Sequence, residues 1–242
     1  MQKSILFLLA IAVSSAFAQT SKTVTLSSAG TLSASISESE AASVTNLTLS
    51  GYIDARDFVF MRDNMKVLSV LNMSAAKIKS YIGMSGTYSG TTKIYAANAV
   101  PDYAFFNAAT NTYKSTLTSV TLPSTTVSIG YLAFYYCWNL SGTFNIPATL
   151  TKIGDYALYG CTGISAYSVG TGNVRYAASD GMLLNASKDS LFICPTSKVG
   201  VVSIPSTVAW IGPSAFEGCS GLTGNLTLPS GLKKIENYAF YY

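Results

Sequence analysis

The sequence predicts an α/β repeat solenoid, a stack of coils each made of one strand and one return segment, and three observations predict it. First, Leu117-Thr-Ser-Val-Thr-Leu-Pro123 with Ser128-Ile-Gly-Tyr-Leu-Ala-Phe-Tyr-Tyr-Cys137 returns as Thr143-Phe-Asn-Ile-Pro147 with Lys152-Ile-Gly-Asp-Tyr-Ala-Leu-Tyr-Gly-Cys161, which sets one period as the step from Cys137 to Cys161. Second, the phrase recurs as Val202-Ser-Ile-Pro205 with Ile211-Gly-Pro-Ser-Ala-Phe-Glu-Gly-Cys219, and as Leu226-Thr-Leu-Pro229 with Ile235-Glu-Asn-Tyr-Ala-Phe240. In all four copies the proline precedes the alanine by ten residues. Third, the stretch before each proline alternates apolar and polar residues. Self-similarity at a fixed period of roughly 20 to 50 residues marks a stacked-repeat architecture. Such a stack is a binding scaffold whose target the sequence does not name.

At the N-terminus, Lys3 supplies a positive charge, Ile5 to Val13 is an unbroken apolar run, and Ala16-Phe-Ala18 offers small residues for cleavage. Residues 1–18 therefore read as a secretory signal peptide, since the run is far short of the roughly 20 residues of a membrane span. No second run of spanning length follows. Without Lys3 the chain carries 14 basic and 11 acidic side chains, a balance too mild to argue for nucleic acid. Sparse charge with many hydroxyls suits an exported, β-rich surface protein.

Residues 19–43 read as an N-terminal cap, with Leu32 and Ile36 on one edge of a short helix near Glu38 and Glu40. From Val44 the columns begin, with Leu47 and Leu49 followed one period later by Leu71 and Met73. Between them Phe58, Met61 and Met65 fall at helical spacing, so the return side of this coil is predicted to be a helix. Asp54, Asp57 and Asp63 read as its solvated face. The stretch from Ile78 to Tyr113 is looser, with Ile94 in a strand and Val100-Pro-Asp-Tyr-Ala-Phe105 as a degenerate copy of the later phrase.

In the four clear copies Val120 and Leu122, Phe144 and Ile146, Val202 and Ile204, and Leu226 and Leu228 point inward at a period of two. Ser119 and Thr121, Thr143 and Asn145, Ser203, and Asn225 and Thr227 then line the outer face. Each proline removes a ladder donor and fixes a bend, while Gly130, Gly154 and Gly212 suit a turn with positive φ. The Ala-Phe pairs Ala133-Phe134, Ala215-Phe216 and Ala239-Phe240 give a small residue for close approach and a large one for the core. Two buried column residues cannot offset the ordering of a whole coil, so neighbours must stack. The spacing from Leu158 to Phe216 is more than twice the period. That excess reads as a β-hairpin at about 173–196, with Leu183-Leu184 facing Leu191 to Ile193.

The phrase Ile-Pro, then Ile-Gly-x-x-Ala-Phe-x-x-Cys, with Tyr176-x-x-x-Asp180-Gly-Met-Leu183 and Cys194-Pro195 between copies, closely resembles the BspA-type leucine-rich repeats. The resemblance covers about Leu47 to Tyr242. It implies a right-handed coil with a parallel β-sheet on one face and short helical or irregular return segments. It also implies export to the cell surface of a bacterium or parasitic protist and adhesion to host matrix proteins or other cells. Departures are Ala108 where a Cys would fall, Leu158 for Phe, Glu236 for Gly, and Cys194 outside the repeat.

Cys137, Cys161 and Cys219 share one repeat position and should stack as small buried hydrophobes, with a Cys137 to Cys161 bridge left open as an alternative. Histidine is absent and no C-x-x-C spacing occurs, so neither a metal site nor a Ser-His or Cys-His nucleophile is expected. No catalytic residue and no cofactor is expected, and scattered Asp and Glu leave only a formal place for an enzyme. Two faces could bind: the hydroxyl- and amide-rich outer strand face, or the return side crowded with Tyr131, Tyr135, Tyr136, Trp138, Tyr156, Tyr159, Tyr238 and Tyr241. The expected partners are host extracellular matrix or cell-surface proteins or glycans. End-to-end self-association of a structural or spacer protein is the alternative. The last repeat stops at Tyr242, one residue before its Cys is due, which reads as a fragment or truncated product; were that end native, its exposed terminal coil would invite edge pairing.

Overall fold

The computed structural model describes residues 19–88 and 90–242, and the expected signal peptide lies outside them. Strands Ser21–Leu26, Asn46–Ile53, Val70–Ile78 and Ser119–Thr121 form a parallel sheet in that order. Beside it Gly142–Ile146 pairs in parallel with Ile164–Val169, and the Ser141 N–H donates to the Thr118 carbonyl at 3.0 Å, which carries the ladder across. A second, narrower stack runs through the Ile-Gly positions, where Val100, Ile129 and Ile153 lie side by side. The molecule is thus a β-solenoid with a parallel sheet and few helices.

The sheet starts one strand earlier than the sequence reading places it. Ser21–Leu26 lies within the expected cap, yet Val24 sits directly opposite Leu49. Its alternation buries Val24 and Leu26, but no Pro-to-Ala phrase follows to mark it as a coil. Leu32–Ser35 and Glu38–Ser43 are short helices that bury Leu32, Ile36 and Ala41, and Ser37 with Glu40 closes a capping box on the second.

The return side of the next coil is a helix, Ala55–Asp63, with Phe58, Met61 and Met65 fully buried. Its aspartates are not a solvated face: Asp54 and Asp57 are each 1% exposed. Asp54 caps the helix by accepting from Arg56 N–H, and Asp57 accepts from the N–H groups of Asp54, Gly30 and Leu32 at 2.8, 2.7 and 2.9 Å. Burial pushes the Asp57 carboxyl above the usual range in spite of these donors. The polar helix face is buried because the N-terminal segment folds over it. Asp63 pairs with Arg62 and Asn107.

Leu71 lies opposite Val120, about two periods further along the chain, so 79–118 belongs to a single enlarged coil. It holds two antiparallel pairs, Tyr81–Gly83 with Lys93–Tyr95 and Phe106–Asn107 with Thr112–Tyr113. Ile94 is in a strand, and its side chain is 77% exposed. Arg62 fastens this coil by donating to the carbonyls of Thr87, Tyr103 and Phe106.

Gly130, Gly154 and Gly212 do not have the expected positive φ; Leu132, Tyr156 and Ser214, two residues on, do. Close approach explains the glycines instead. A Cβ on Gly154 would stand 2.6 Å from the Tyr131 amide nitrogen, and one on Gly130 would stand 2.4 Å from that of Asp102. Glu236 holds the equivalent place with its carboxylate accepting from Trp210 Nε1–H at 3.0 Å.

Beyond Val169 the chain forms an antiparallel meander, Tyr176–Ser179, Met182–Asn185 and Ser190–Ile193, with Leu183 opposite Ile193 and Leu184 opposite Leu191. The meander then rejoins the second stack, since Leu191 lies parallel to Ile211, and Ile211 to Ile235. Cys194 is not outside the repeat. Its N–H donates to the Ala215 carbonyl at 2.7 Å, as Phe134 N–H does to Ala157 and Phe216 N–H to Ala239. The insertion is a shortened coil with cysteine in the phenylalanine place. It also divides the interior, because Leu183 joins the apolar cluster that begins at Val24 while Met182 and Leu184 join a smaller one that ends at Ala239.

Phe105, Phe134 and Phe144 form the aromatic column of the larger core, with ring centroids 5.2 and 5.8 Å apart. In the last of the described coils Leu226, Leu228 and Phe240 are exposed instead of inside. All four cysteines are buried and free, so the Cys137 to Cys161 bridge does not form. Burial pushes Cys161 up to about 12 and Cys137 well above its ordinary value. Ellman's reagent at pH 8 should therefore react slowly with the native protein and count four thiols after unfolding in guanidinium; a count of two would mean a bridge.

Lys114 is 4% exposed, with its ammonium donating to the Met65 carbonyl and no ion pair to a carboxylate among the described residues. Burial first, and Lys66 second, lower it from 10.5 to about 8. Between those values the unfolded chain binds the extra proton, so this group adds stability as pH rises through the window and its full penalty is present below pH 8. Lys114→Met should raise Tm at pH 7, by at most on the order of 3 kcal/mol of unfolding free energy. Melts of both proteins across the window should show the gap closing towards pH 10.5.

Candidate binding surfaces

The outer strand face is built by register. Thr23, Thr48, Asn72 and Thr121 lie in one row across four strands, with Ser119 beside Val70 in the same pairing. In the adjoining pair Thr143 faces Ala166 and Asn145 faces Ser168, whose hydroxyl donates to Asn145 Oδ1 at 2.5 Å. Thr25 and Ser50 hydroxyls are 2.7 Å apart in a parallel row. Ser119, Thr121, Thr143 and Asn145 are all exposed. These short side chains stand on a paired backbone ladder and offer donors and acceptors at its surface.

Ser203, Asn225 and Thr227 are exposed too, but they leave the regular sheet. The stretches expected as strands there form none, and a lone parallel bridge joins Gly200 to Leu222. The insertion accounts for this. Ser203 N–H, which a neighbouring strand would accept, goes to Asp180 Oδ2 at 2.9 Å, and Asp180 is held by Lys198.

On the return side the aromatic candidates join into one network. Tyr131 meets Tyr103 and Tyr156 with centroids 5.5 and 6.4 Å apart, and Tyr156 meets Tyr159 at 5.8 Å. Tyr159 stacks on Tyr135 at 5.8 Å and stands edge-on to Tyr136 at 5.7 Å, while Tyr113 joins Tyr136 to Trp138. Tyr238 pairs with Tyr241 instead. Tyr131, Trp138, Tyr156 and Tyr238 are exposed, whereas Tyr135 and Tyr159 are partly buried packing between coils. Tyr88, Tyr103 and Tyr113, which extend this surface, lie in the loose stretch where no repeat phrase marks them. Lys93 sits over the Tyr88 ring at 4.3 Å.

Tyr159 Oη donates to Glu217 Oε1 at 2.9 Å and so spans the insertion. That hydrogen bond, with burial behind it, raises the phenol above its ordinary value. Among the described residues no group of three or more His, Cys, Asp or Glu could hold a metal ion, and no helix is long and apolar enough to cross a membrane.

The model of the family described as BspA type leucine rich repeat region matches residues 98–180 and 188–242, in six copies. No curated protein matches significantly. Among solved structures, a leucine-rich repeat protein from Eubacterium ventriosum is similar with TM-score 0.53 and 22% identity, over 83% of this chain and 45% of that one. The pneumococcal vaccine antigen PcpA is similar with TM-score 0.50 and 17% identity, over 85% of this chain and 50% of that one. At these identities the likeness shows the fold, and the chain spans about half the length of the solved proteins it matches.

Glu217→Gln should bring the Tyr159 phenol down towards its ordinary value of 10.0, because a neutral amide no longer penalises the phenolate. Titration of ring-labelled tyrosine by NMR reads this directly, and an unchanged midpoint would contradict the hydrogen bond.

Proposed function

The chain belongs to the family of BspA-type leucine-rich repeats, and from that premise we propose that it is an exported cell-surface protein working as a non-catalytic binding scaffold. Its partners are host extracellular matrix or cell-surface proteins or glycans, bound by adhesion rather than turnover. The observation that carries this reading is the polar row Thr23, Thr48, Asn72 and Thr121, continued by Asn145, on a sheet whose strands fix every side chain. Short side chains lose little freedom on binding, so a surface of this kind is preorganised. Export rests on the signal expected at residues 1–18. The coil is taken as right-handed, the sense in which parallel strands joined by a crossover almost always wind.

A second reading, end-to-end association of copies, is favoured by the exposed Leu226, Leu228, Ile235 and Phe240 of the last coil, whose apolar side chains another coil could cover.

Both readings meet one experiment. The chain from Gln19 onward is exposed to an array of matrix proteins and glycans, with light scattering on the same sample. Saturable binding by a monomer is expected, weakened tenfold or more by Thr121→Trp and Asn145→Trp and unchanged by Tyr156→Ala. Oligomers that grow with concentration and bind nothing on the array would replace the adhesin with the self-associating protein.

A further inference from the structure

Cys194 stands in the place that phenylalanine holds in the regular coils, and that exchange sets two thiols together. Where the repeat is regular, the Cys161 thiol reaches back across one coil and donates to the Phe134 carbonyl at 3.1 Å. Cys219 reaches back in the same way to the Cys194 carbonyl at 3.6 Å. The residue it meets there carries sulfur instead of a ring. Both thiols lie near one oxygen, the Pro195 carbonyl, at 4.0 Å for Cys194 and 3.7 Å for Cys219, and each has the other as its strongest side-chain partner. Cys137 meets Cys161 through its backbone instead. Packing alone does not ask for sulfur in the phenylalanine place, since Leu158 fills it with an aliphatic side chain.

The pair lies where the solenoid has the least backbone pairing. In the smaller core the stretches before Pro205 and Pro229 form no strand, and a lone parallel bridge joins Gly200 to Leu222. The shortened coil is tied to the next one by Leu191 beside Ile211 and by Cys194 N–H on the Ala215 carbonyl. A cleft of about 640 Å³, lined by Tyr156, Phe192 and Tyr238, reaches the pair: Cys194 is part of its wall, and so is Gly218 next to Cys219. Neither Cys137 nor Cys161 lines it.

We propose that Cys194 and Cys219 are an oxidation site, at which a small organic disulfide entering by the cleft converts the two thiols to a bridge that staples the shortened coil to its successor. The proposal goes beyond the scaffold reading and takes from it only export, to a compartment that supplies such oxidants. All four cysteines are thiols in the structure, which is thus the reduced form. Cys219 is the attacking group, because the Cys194 thiol donates to it and holds it below its ordinary value, while that bond and burial push Cys194 up. The thiolate is the nucleophile in such exchange. Having given its proton to solvent, Cys219 attacks one sulfur of the small disulfide, whose S–S bond breaks, and one half leaves as a thiolate that takes up a proton. The other half stays on Cys219 as a mixed disulfide. Cys194, losing its own proton to solvent, then attacks the Cys219 sulfur and expels that half as a second thiol. Two cysteines are oxidised by two electrons, and one small disulfide is reduced to two thiols.

The test uses the chain from Gln19 onward, purified under reductant so that it counts four thiols. It is incubated, folded and in mildly alkaline buffer, with bis(2-hydroxyethyl) disulfide; burial makes the exchange slow, so incubation is long. Alkylation in guanidinium and peptide mapping should then find the peptides of Cys194 and Cys219 linked, with Cys137 and Cys161 recovered alkylated. The oxidised chain should melt about 5 °C above the reduced one. Cys194→Ala should show neither link nor gap, with circular dichroism checking its fold. Four thiols surviving the treatment, adducts without a link, a link that includes Cys137 or Cys161, or a link without a gain in Tm would overturn the proposal. Because the oxidant is supplied, these outcomes are independent of export, and the scaffold reading stands or falls by the array experiment alone.

Discussion

The hydrogen bond from Phe134 N–H to the Ala157 carbonyl stands for the constraint under which the whole chain is built. A coil of some two dozen residues has too little interior to bury its own apolar side chains, and its strand cannot satisfy its own backbone. Each coil therefore takes both packing and hydrogen bonds from the next. Small residues at the places of Ala133, Ala157, Ala215 and Ala239 let the backbones approach, and the glycines at 130 and 154 do so in the turn before them, where a Cβ would collide with the preceding coil. The aromatic residue that follows fills the space this leaves inside.

Once that dependence is in place, departures from the repeat become informative. At residues 79–118 one coil is enlarged, and it is held by side chains that no repeat specifies, above all the buried Arg62. Between Val169 and Trp210 a coil is shortened instead. It keeps its place in the second stack through Leu191 and in the return lane through Cys194. In that lane it gives the following coil a single backbone hydrogen bond, from Cys194 N–H to the Ala215 carbonyl.

The sequence made the repeat legible where period and phrase agree. Strands with Val120, Phe144 and Ile146, the Ala-Phe column, the Ala55–Asp63 helix and the pairing of Leu183-Leu184 with Leu191 to Ile193 follow from periods of two and 3.6 and from turn residues. What escaped was fixed by contacts distant in sequence. The strand at Ser21–Leu26 has the alternation without the phrase. Asp57 looks solvated until the segment around Gly30 folds over it. Ser203 looks like a strand residue until Asp180 takes its amide. Of the site candidates, the Thr121 and Asn145 row and the Tyr131 to Tyr159 network could be seen in advance. The cleft lined by Tyr156, Phe192 and Tyr238 could not, since the insertion brings together residues far apart in the sequence.

The strand Met182–Asn185 sends Leu183 into one core and Met182 and Leu184 into the other. Because successive side chains alternate sides, a shift of a single residue in this strand would exchange the two sets and misplace all three at once. Loss or gain of one residue before Met182 should thus be far worse tolerated than loss or gain of two, which would restore the parity. The meander acts as a parity lock between two stacks of coils, and the repeats on either side of it can drift in length only so long as this phase is kept.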